Sequence, residues 1–216
     1  MCAAVIRYCI LNSIPVVFVT KMPELFQDMF RDCTGIKLKN FRPYILSTKG
    51  NKKAVIKTGR TVYKAGGVFS KDYHNILFTN YSQFNSANTN KINLIKDYIG
   101  TDGVVILDEA HEASGPESKT GMVFRSIIKD CRFVYFLSAT FSKTSTTLGI
   151  YLMRSKIFSI IDEDVLAKLV KAGGLAVNEL ITENLVANYE MIRREKSLKN
   201  KSIDYHTLTD PRIVEI

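Results

Sequence analysis

The stretch Gly103-Val-Val-Ile-Leu-Asp-Glu-Ala-His-Glu112 joins four apolar residues directly to two acids. The uninterrupted apolar run from Val104 to Leu107 predicts a strand buried on both faces, as in the interior of a parallel sheet. Asp108 and Glu109 follow at its carboxyl end, where open α/β sheets bind their ligands. One carboxylate there can hold Mg²⁺, usually through water, and the other can orient the water that attacks a γ-phosphate. A buried strand ending in ordinary solvated acids is the alternative, but Asp-Glu-Ala-His after an apolar run is a narrower pattern than Asp-Glu alone.

A second buried strand is predicted at Phe133-Val-Tyr-Phe-Leu-Ser-Ala-Thr140, with Ser138 thirty positions after Asp108. This segment ends in a tripeptide with two hydroxyl side chains, Ser138-Ala139-Thr140. Predicted strands alternate with helical patterns up to this point, which implies a parallel sheet with right-handed crossovers. Beyond it the pattern is helical only, with Gly173-Gly174 separating two helices. We expect the centre of the sheet to be formed by strands at 16–20, 76–79, 104–107 and 133–138.

Composition and charge favour a soluble globular protein with a polyanionic partner. The 216 residues are 46% hydrophobic and 24% charged, and 30 Lys+Arg against 21 Asp+Glu give a formal net charge of +9. Nucleic acid is the first partner that such a surplus suggests, although a merely basic surface would look the same. The segment 36–74 is rich in Lys and Arg, and Tyr44, Tyr63 and Tyr73 lie between these basic residues in the sequence. This region predicts either contacts to a nucleic-acid backbone and its bases or a solvated edge hairpin whose lysines block edge pairing.

Several other classes of protein are disfavoured by the sequence. No apolar run approaches the ~20 residues that a membrane-spanning helix needs, so we expect no membrane partner. The amino terminus lacks the basic start and cleavage site of a signal peptide, and we expect a cytoplasmic location, in the host cytoplasm if the protein is phage-encoded. No Cys-x-x-Cys pair is present, so reduced thiols and no structural zinc are expected. The residues concerned are Cys2, Cys9, Cys33, Cys131, His74, His111 and His206.

Four motifs together resemble one family. Asp108-Glu-Ala-His111 matches motif II, and Ser138-Ala-Thr140 matches motif III, of the first motor domain of superfamily 2 helicases. Val16-Val-Phe-Val-Thr20 is similar to motif Ia, and Thr79-Asn-Tyr-Ser82 is similar to the segment before the helix that precedes motif II. The whole chain resembles in particular the strawberry notch-like group of DEAD/DEAH-type ATPases, which includes phage and bacterial relatives. In that group the sequence Ser-Lys-Thr-Gly, here Ser118 to Gly121, often follows motif II.

The resemblance implies an α/β chain with a RecA-like P-loop NTPase fold. Its parallel sheet would be flanked by helices, incomplete at the N-terminus, and followed by a helical C-terminal extension. The implied organisation is a partial motor domain over residues 1–155 that starts after the P-loop, a helical extension over 156–195, and a linker over 196–216 toward a second domain.

The resemblance also implies roles at the site, with ATP and Mg²⁺ as cofactors. Asp108 would hold Mg²⁺ through water, Glu109 would polarise the attacking water, and His111 would help couple the state of the nucleotide to movement. Ser138 and Thr140 would bridge the nucleotide site to the nucleic-acid face. The alternatives are a hydrogen-bonded loop histidine at 111 and strand-end caps for the next helix at 138 and 140.

By the same resemblance, four residues at strand ends would contact the backbone of DNA or RNA. They are Thr20, Lys21, Thr79 and Tyr81. Each could equally be a helix cap or a surface residue.

The sequence departs from the family in its phosphate-binding loop. Such a loop has the pattern Gly-x-x-x-x-Gly-Lys-Ser/Thr, and no Gly of this chain is followed by Lys. We therefore expect the chain alone to bind ATP poorly and to hydrolyse it little or not at all. One hypothesis is a split or truncated helicase, with the Walker A segment and the second motor domain on separate chains. The other is a non-catalytic nucleic-acid-binding or assembly module derived from a helicase domain. A restriction-type or chromatin-remodelling translocase would share the same motor.

Overall fold

The computed structural model describes residues 2–59, 61–85, 88–113, 118–138 and 145–192. The helices in these ranges are α1 (Cys2–Leu11), α2 (Leu25–Gly35), α3 (Thr89–Ile99), α4 (Lys119–Asp130), α5 (Ser145–Leu152) and α6 (Glu163–Ala187). The strands are β1 (Val16–Thr20), β2 (Pro43–Leu46), β3 (Val55–Lys57), β4 (Val62–Lys64), β5 (Ile76–Asn80), β6 (Val104–Asp108) and β7 (Phe133–Leu137). Short 3-10 turns lie at Tyr81–Phe84, Ala110–Ala113 and Lys156–Ser159.

Five strands form one parallel sheet in the order β2-β5-β1-β6-β7. The four strands expected at its centre are neighbours in this sheet, and the predicted α/β fold with a parallel sheet is confirmed. Because every strand runs in the same direction, all the carboxyl ends lie at one edge. That edge brings together Thr20, Asp108 and Ser138, since Val19 pairs with Leu107 and Asp108 pairs with Leu137.

Helices cover both faces of the sheet, as alternation of side chains along β6 requires. Val104 and Ile106 point to one face, into a core that also contains Ile6 of α1 and Phe26 of α2; we call it the α1–α2 core. Val105 and Leu107 point to the other face, into a core with residues of α3 and α4 that we call the α3–α4 core. All four side chains of this run are buried, so the prediction of a strand buried on both faces is confirmed for β6.

The same prediction for the segment at Phe133 is wrong. Phe133 is 54% exposed and Tyr135 is 42% exposed, and the other side chains of β7 are only half-buried. The physical reason is position, because β7 is an edge strand with β6 on one side and no further strand in the described part of the chain. Apolar composition predicts that a strand can be buried, but a neighbour must be present to bury it.

The basic region contains an antiparallel hairpin formed by β3 and β4. The hairpin is anchored on α2, where the Gln27 side chain exchanges two hydrogen bonds with the backbone of Lys57. Two of its neighbouring cations are engaged within the protein: Lys53 pairs with Glu24 at 2.8 Å, and the Arg42 guanidinium lies 5.3 Å from the ring centre of Tyr73. The expected hairpin is therefore present, and a nucleic-acid contact in this region stays a prediction.

The last part of the described chain is helical, as expected. Helix α6 is divided at Gly174, whose φ of +52° and ψ of −129° break the helix into two arms at the predicted Gly173-Gly174 separator. These arms pack with α5 in a third core, the α5–α6 core, which includes Leu148, Leu166 and Ile181. Within the described ranges, no helix is both long enough and apolar enough to cross a bilayer. The expected linker at 196–216 lies outside the described residues.

Candidate functional site

Asp108 is held by residues from two neighbouring strand ends. The Thr20 hydroxyl donates a hydrogen bond of 2.8 Å to Asp108 Oδ2, and the Tyr81 hydroxyl donates one of 2.8 Å to the Asp108 backbone carbonyl. Thr20 is fully buried and Tyr81 nearly so, which fixes both donors. The other carboxylate oxygen, Oδ1, accepts no hydrogen bond from the described part of the chain. Asp108 therefore presents one oriented oxygen at the carboxyl edge of the sheet.

At Glu109 the chain turns out of the direction of β6, because this residue has a left-handed backbone conformation with φ of +52°. A residue with a Cβ adopts this conformation at a cost of about 1–2 kcal/mol. The 3-10 turn that follows opposes that cost, because Ala110 and Ala113 are completely buried in the α3–α4 core. The turn therefore fixes the backbone that carries Glu109 directly after Asp108, and the Glu109 side chain is 44% exposed.

A row of alternating charges links the end of β1 to Glu109. Lys21 Nζ lies 2.7 Å from Glu112 Oε1, and the same oxygen lies 3.5 Å from Nε2 of His111. On its other side, His111 Nδ1 is 3.2 Å from Glu109 Oε2, within ion-pair distance. The hydrogen bond from Lys21 to Glu112 raises the pKa of Lys21 above its ordinary value. The order Lys21, Glu112, His111, Glu109 alternates in sign whenever the imidazole is protonated.

Ser138 lies just past the end of β7 and meets a residue of α5. Its side chain interacts with that of Tyr151, which is 8% exposed. Burial raises the pKa of Tyr151, its interaction with Ser138 lowers it, and the negative charge of Glu109 raises it again. Thr140, the other predicted hydroxyl, lies outside the described residues.

The amino-terminal end of α1 also lies near the acids. The pKa of the Cys2 thiol is raised to about 12, first by burial and then by the charges of Cys33 and Asp108. Because α1 packs antiparallel to β1, its first turn lies at the carboxyl edge of the sheet. Backbone N–H groups at a helix start carry partial positive charge, which suits a phosphate bound beside Asp108.

Of the four predicted nucleic-acid contacts, only Lys21 has an exposed side chain, 61% accessible to solvent. Thr20 and Tyr81 are turned toward Asp108, and the Thr79 hydroxyl donates to the backbone carbonyl of Leu46 at 2.9 Å. The structure thus places two of the four at the acidic site and one in the core of the sheet. Their contact with nucleic acid stays a prediction.

Three residues that organise the site were not predicted from the sequence: Thr20 as a partner of Asp108, Glu112 as the link between Lys21 and His111, and Tyr151 as the partner of Ser138. Thr20 ends a strand that the sequence predicts, but the sequence does not show that this strand lies beside β6. Ser118, which belongs to a matching motif, has a structural role, since its side chain accepts a hydrogen bond from the Gly121 N–H and caps α4.

The chemistry of the site fits Mg²⁺ better than a transition metal. The ligand available is a carboxylate oxygen, a hard donor that Mg²⁺ prefers, while the remaining positions are left to water and phosphate oxygens. In the described ranges, no group of three or more His, Cys, Asp and Glu side chains is arranged to hold a metal by itself. Asp108 would therefore hold Mg²⁺ as part of a complex with a nucleotide.

Comparison with known families gives one match over nearly the whole chain. The family model described as "P-loop containing NTP hydrolase pore-1" matches residues 2–212. A comparison with curated proteins gives no match.

Proposed function

Because this chain belongs to the P-loop containing NTP hydrolase family, we propose that it supplies the metal-binding and water-orienting acids of an ATP-driven nucleic-acid motor. One observation carries the proposal: Asp108 and Glu109 end a central strand of a parallel sheet, and Thr20 orients the first of them. The proposed motor is of the superfamily 2 helicase type, on the strength of the motif resemblance. Its proposed substrates are ATP and a strand of DNA or RNA.

Each acid has a distinct proposed role. Asp108 would hold Mg²⁺ through water with the oxygen that Thr20 leaves open, and the ion would supply charge neutralisation for the phosphate oxygens. Glu109 accepts a proton from the attacking water, since its side chain is 44% exposed and follows Asp108 directly in the chain. His111 contacts the Glu109 carboxylate and helps couple the state of the nucleotide to movement. By the motif resemblance, Ser138 and Thr140 bridge the nucleotide site to the nucleic-acid face.

Lys21 is the proposed first contact with nucleic acid, because its side chain is exposed and because Glu112 and His111 link it to Glu109. A phosphate that pairs with Lys21 competes with Glu112, whose other neighbour is His111. This contact offers a physical route by which nucleic acid changes the surroundings of Glu109. The net charge of +9 supports a polyanionic partner.

We further propose that hydrolysis needs a phosphate-binding loop supplied from outside these 216 residues, because none of the 12 Gly residues is followed by Lys. Without loop amides and a Lys, little stabilises the charge of the transferring phosphoryl group. The alternative is a nucleic-acid-binding or assembly module in which both acids are inactive, which the net charge of +9 fits equally well.

The test is ATP hydrolysis by the chain in the presence of DNA and a peptide that carries a strand and a Gly-Lys loop. Glu109→Gln is expected to lower the rate by about 100-fold or more while ATP binding stays unchanged, because a general base contributes that much. Asp102→Asn is the matched control, since Asp102 is exposed at the opposite end of β6. If Glu109→Gln hydrolyses ATP as fast as the control, the catalytic assignment is wrong and the non-catalytic module is favoured.

A further inference from the structure

A cavity of about 440 Å³ lies between helix α3 and the segment that connects β4 to β5. Here it is called the α3 cavity, and its volume is within the range of about 300–1,000 Å³ that is usual for ligand sites. Its floor is apolar: Tyr98 belongs to the α3–α4 core, and Phe69 and Leu94 are half-buried side chains packed against that core. Among the described residues, none that lines this cavity belongs to the site around Asp108, so the two sites are separate.

The ring of Phe69 is fixed by its aromatic neighbours. Its centre lies 5.0 Å from that of Tyr44 and 5.4 Å from that of Tyr98, and both contacts are edge-on. The His74 ring stacks with it at 5.7 Å, with 13° between the ring planes. The backbone is tied as well, because the His74 N–H donates to the Ser70 carbonyl at 2.9 Å. A ligand that packs on Phe69 therefore meets a ring that needs little further ordering on binding.

Polar side chains of α3 form the rim of the cavity. Asn90, Asn93 and Asp97 are exposed and follow the spacing i, i+3 and i+7, which places them on one face of the helix. In the ranges that the structure describes, no hydrogen bond occupies any of these three side chains. An Asn amide both donates and accepts, whereas an Asp carboxylate only accepts. The rim therefore offers free donors and acceptors above an apolar floor.

This combination selects among classes of ligand. An aliphatic ligand would leave the rim groups without partners, and a phosphate group would face the negative charge of Asp97. A nucleobase has a flat face that packs on an aromatic ring and polar edges that bond to amides and carboxylates. Because Asp97 can only accept, the best match is a base with an exocyclic amino group. Adenine offers that group beside a ring nitrogen that accepts from an Asn amide.

Cations on and next to α3 favour a base that belongs to a strand. Lys71, Lys91 and Lys96 bond to neutral groups, which are the Asp97 backbone carbonyl, the Gln83 side chain and the Ser126 hydroxyl. In the described part of the chain, none of these three lysines forms an ion pair with a carboxylate. Their charges are therefore uncompensated and available to the phosphates of a nucleic acid.

We infer that the α3 cavity binds one unpaired base of a single strand of DNA or RNA, with a preference for adenine. The base packs on Phe69 and Leu94, its amino group donates to Asp97, and its ring nitrogen accepts from an Asn amide of the rim. The phosphates of the strand contact the lysines on and next to α3. The strand rests on the proposed function, whereas the base preference follows from the cavity itself.

Affinity for two single strands of equal length tests the preference. Labelled oligo(dA) and oligo(dT) are titrated with the full chain at one salt concentration and without ATP, and binding is followed by fluorescence anisotropy. We expect the chain to bind oligo(dA) about tenfold more tightly, since a matched pair of hydrogen bonds to a base edge discriminates by about that factor or more. Equal affinity for the two strands, or tighter binding of oligo(dT), would overturn the inference.

Two Asp variants separate base recognition from general effects of charge. Asp97→Ala and Asp72→Ala each remove one exposed carboxylate, but only Asp97 lines the cavity. Since both changes strengthen the attraction of phosphates, the informative quantity is the ratio of the affinities for oligo(dA) and oligo(dT). This ratio is expected to fall from about ten to about two or less in Asp97→Ala and to stay unchanged in Asp72→Ala. The same ratio in both variants would contradict a contact between Asp97 and the base.

Side-chain amide resonances of the isotope-labelled protein locate the ligand and identify its source. The signals of Asn90 and Asn93 are expected to shift on addition of oligo(dA). Adenosine monophosphate is expected to shift them only at a concentration about tenfold higher or more, because it lacks the further phosphate contacts to the lysines. Shifts at equal concentrations would assign the cavity to a free nucleotide and reject the strand. No shift with either ligand would overturn the inference as a whole.

ATP hydrolysis separates this inference from the proposed function. If oligo(dA) binding depends on Asp97 while hydrolysis does not depend on Glu109, the base site is upheld and the proposed motor is rejected. If both strands bind without preference while Glu109→Gln abolishes hydrolysis, the motor is upheld and the base site is rejected.

Discussion

Side-chain contacts at the carboxyl edge decide how Asp108 is presented. Thr20 and Asp108 are 88 positions apart in the sequence, yet their side chains share a hydrogen bond of 2.8 Å because β1 and β6 are adjacent. The acceptor is a carboxylate oxygen, and hydrogen bonds to charged groups contribute about 1.5–3 kcal/mol, roughly twice as much as bonds between neutral groups. The Thr20 hydroxyl is therefore expected to contribute more to stability than a hydroxyl that bonds a neutral group.

Thr20→Val keeps the volume of the side chain and removes this bond. We expect it to lower the free energy of unfolding by about 1.5–3 kcal/mol, measured by urea denaturation. Thr79→Val is the matched control, because Thr79 is equally buried and its hydroxyl donates to a neutral carbonyl. That control is expected to lose about 0.5–1.5 kcal/mol. Equal losses in the two variants would mean that the charge of Asp108 adds nothing to the bond.

At the scale of single elements, α6 shows how one glycine divides a helix. Gly174 has φ of +52° and ψ of −129°, which side chains rarely adopt, and no atom lies within 4 Å of where its Cβ would be. Any penalty for a side chain there comes from the backbone rather than from a clash. The kink allows both arms of α6 to contribute to the α5–α6 core, through Leu166 and Val170 before it and Ile181 after it.

Gly174→Ala is therefore expected to destabilise the protein by about 1–3 kcal/mol, the cost of a residue in a sparsely populated backbone region. Gly35→Ala near the end of α2 is a suitable comparison, since Gly35 has ordinary φ and open space around it. It is expected to be neutral or to stabilise by up to about 1 kcal/mol. Thermal unfolding followed by circular dichroism measures both. A Gly174→Ala protein as stable as wild type would show that the kink is not required.

Prediction from sequence succeeded where a pattern is local and failed where it depends on neighbours. The run from Val104 to Leu107 and the two acids after it correctly located a buried strand. The segment from Phe133 to Leu137 has a similar composition, but its exposure depends on whether a strand lies beyond it, and composition carries no such information. The Thr20–Asp108 hydrogen bond could not be predicted either, because the sequences of β1 and β6 carry no information on the order of the strands in the sheet.

For the whole molecule, the sheet separates two cores that contain the buried thiols. Burial raises the pKa of Cys33 to about 12 and that of Cys9 to about 11, against an ordinary value of 9.0. Below pH 9 both thiols are neutral in the folded and the unfolded chain, so they make no difference to stability. Between pH 9 and 11 the unfolded chain releases these protons and the folded chain keeps them, which favours unfolding.

The free energy of unfolding is therefore expected to fall as pH rises above 9, by on the order of 1 kcal/mol per buried cysteine at pH 10. Urea denaturation at pH 7.5, 9 and 10 measures the decline. The double variant Cys9→Ala/Cys33→Ala removes both thiols and is expected to decline less steeply, whatever its stability at pH 7.5. An identical decline in the variant would assign the effect to tyrosines and lysines instead.

The short helix α5 has apolar partners on two sides. Ile150 and Tyr151 belong to the α3–α4 core, and Leu148 and Leu152 belong to the α5–α6 core. Helix α5 is thus packed between the α3–α4 core and the α5–α6 core. We therefore expect a movement of α6 to displace α5, and with it Tyr151, which interacts with Ser138 just after β7. A partner that binds α6 would in this way act on the β7 side of the candidate site.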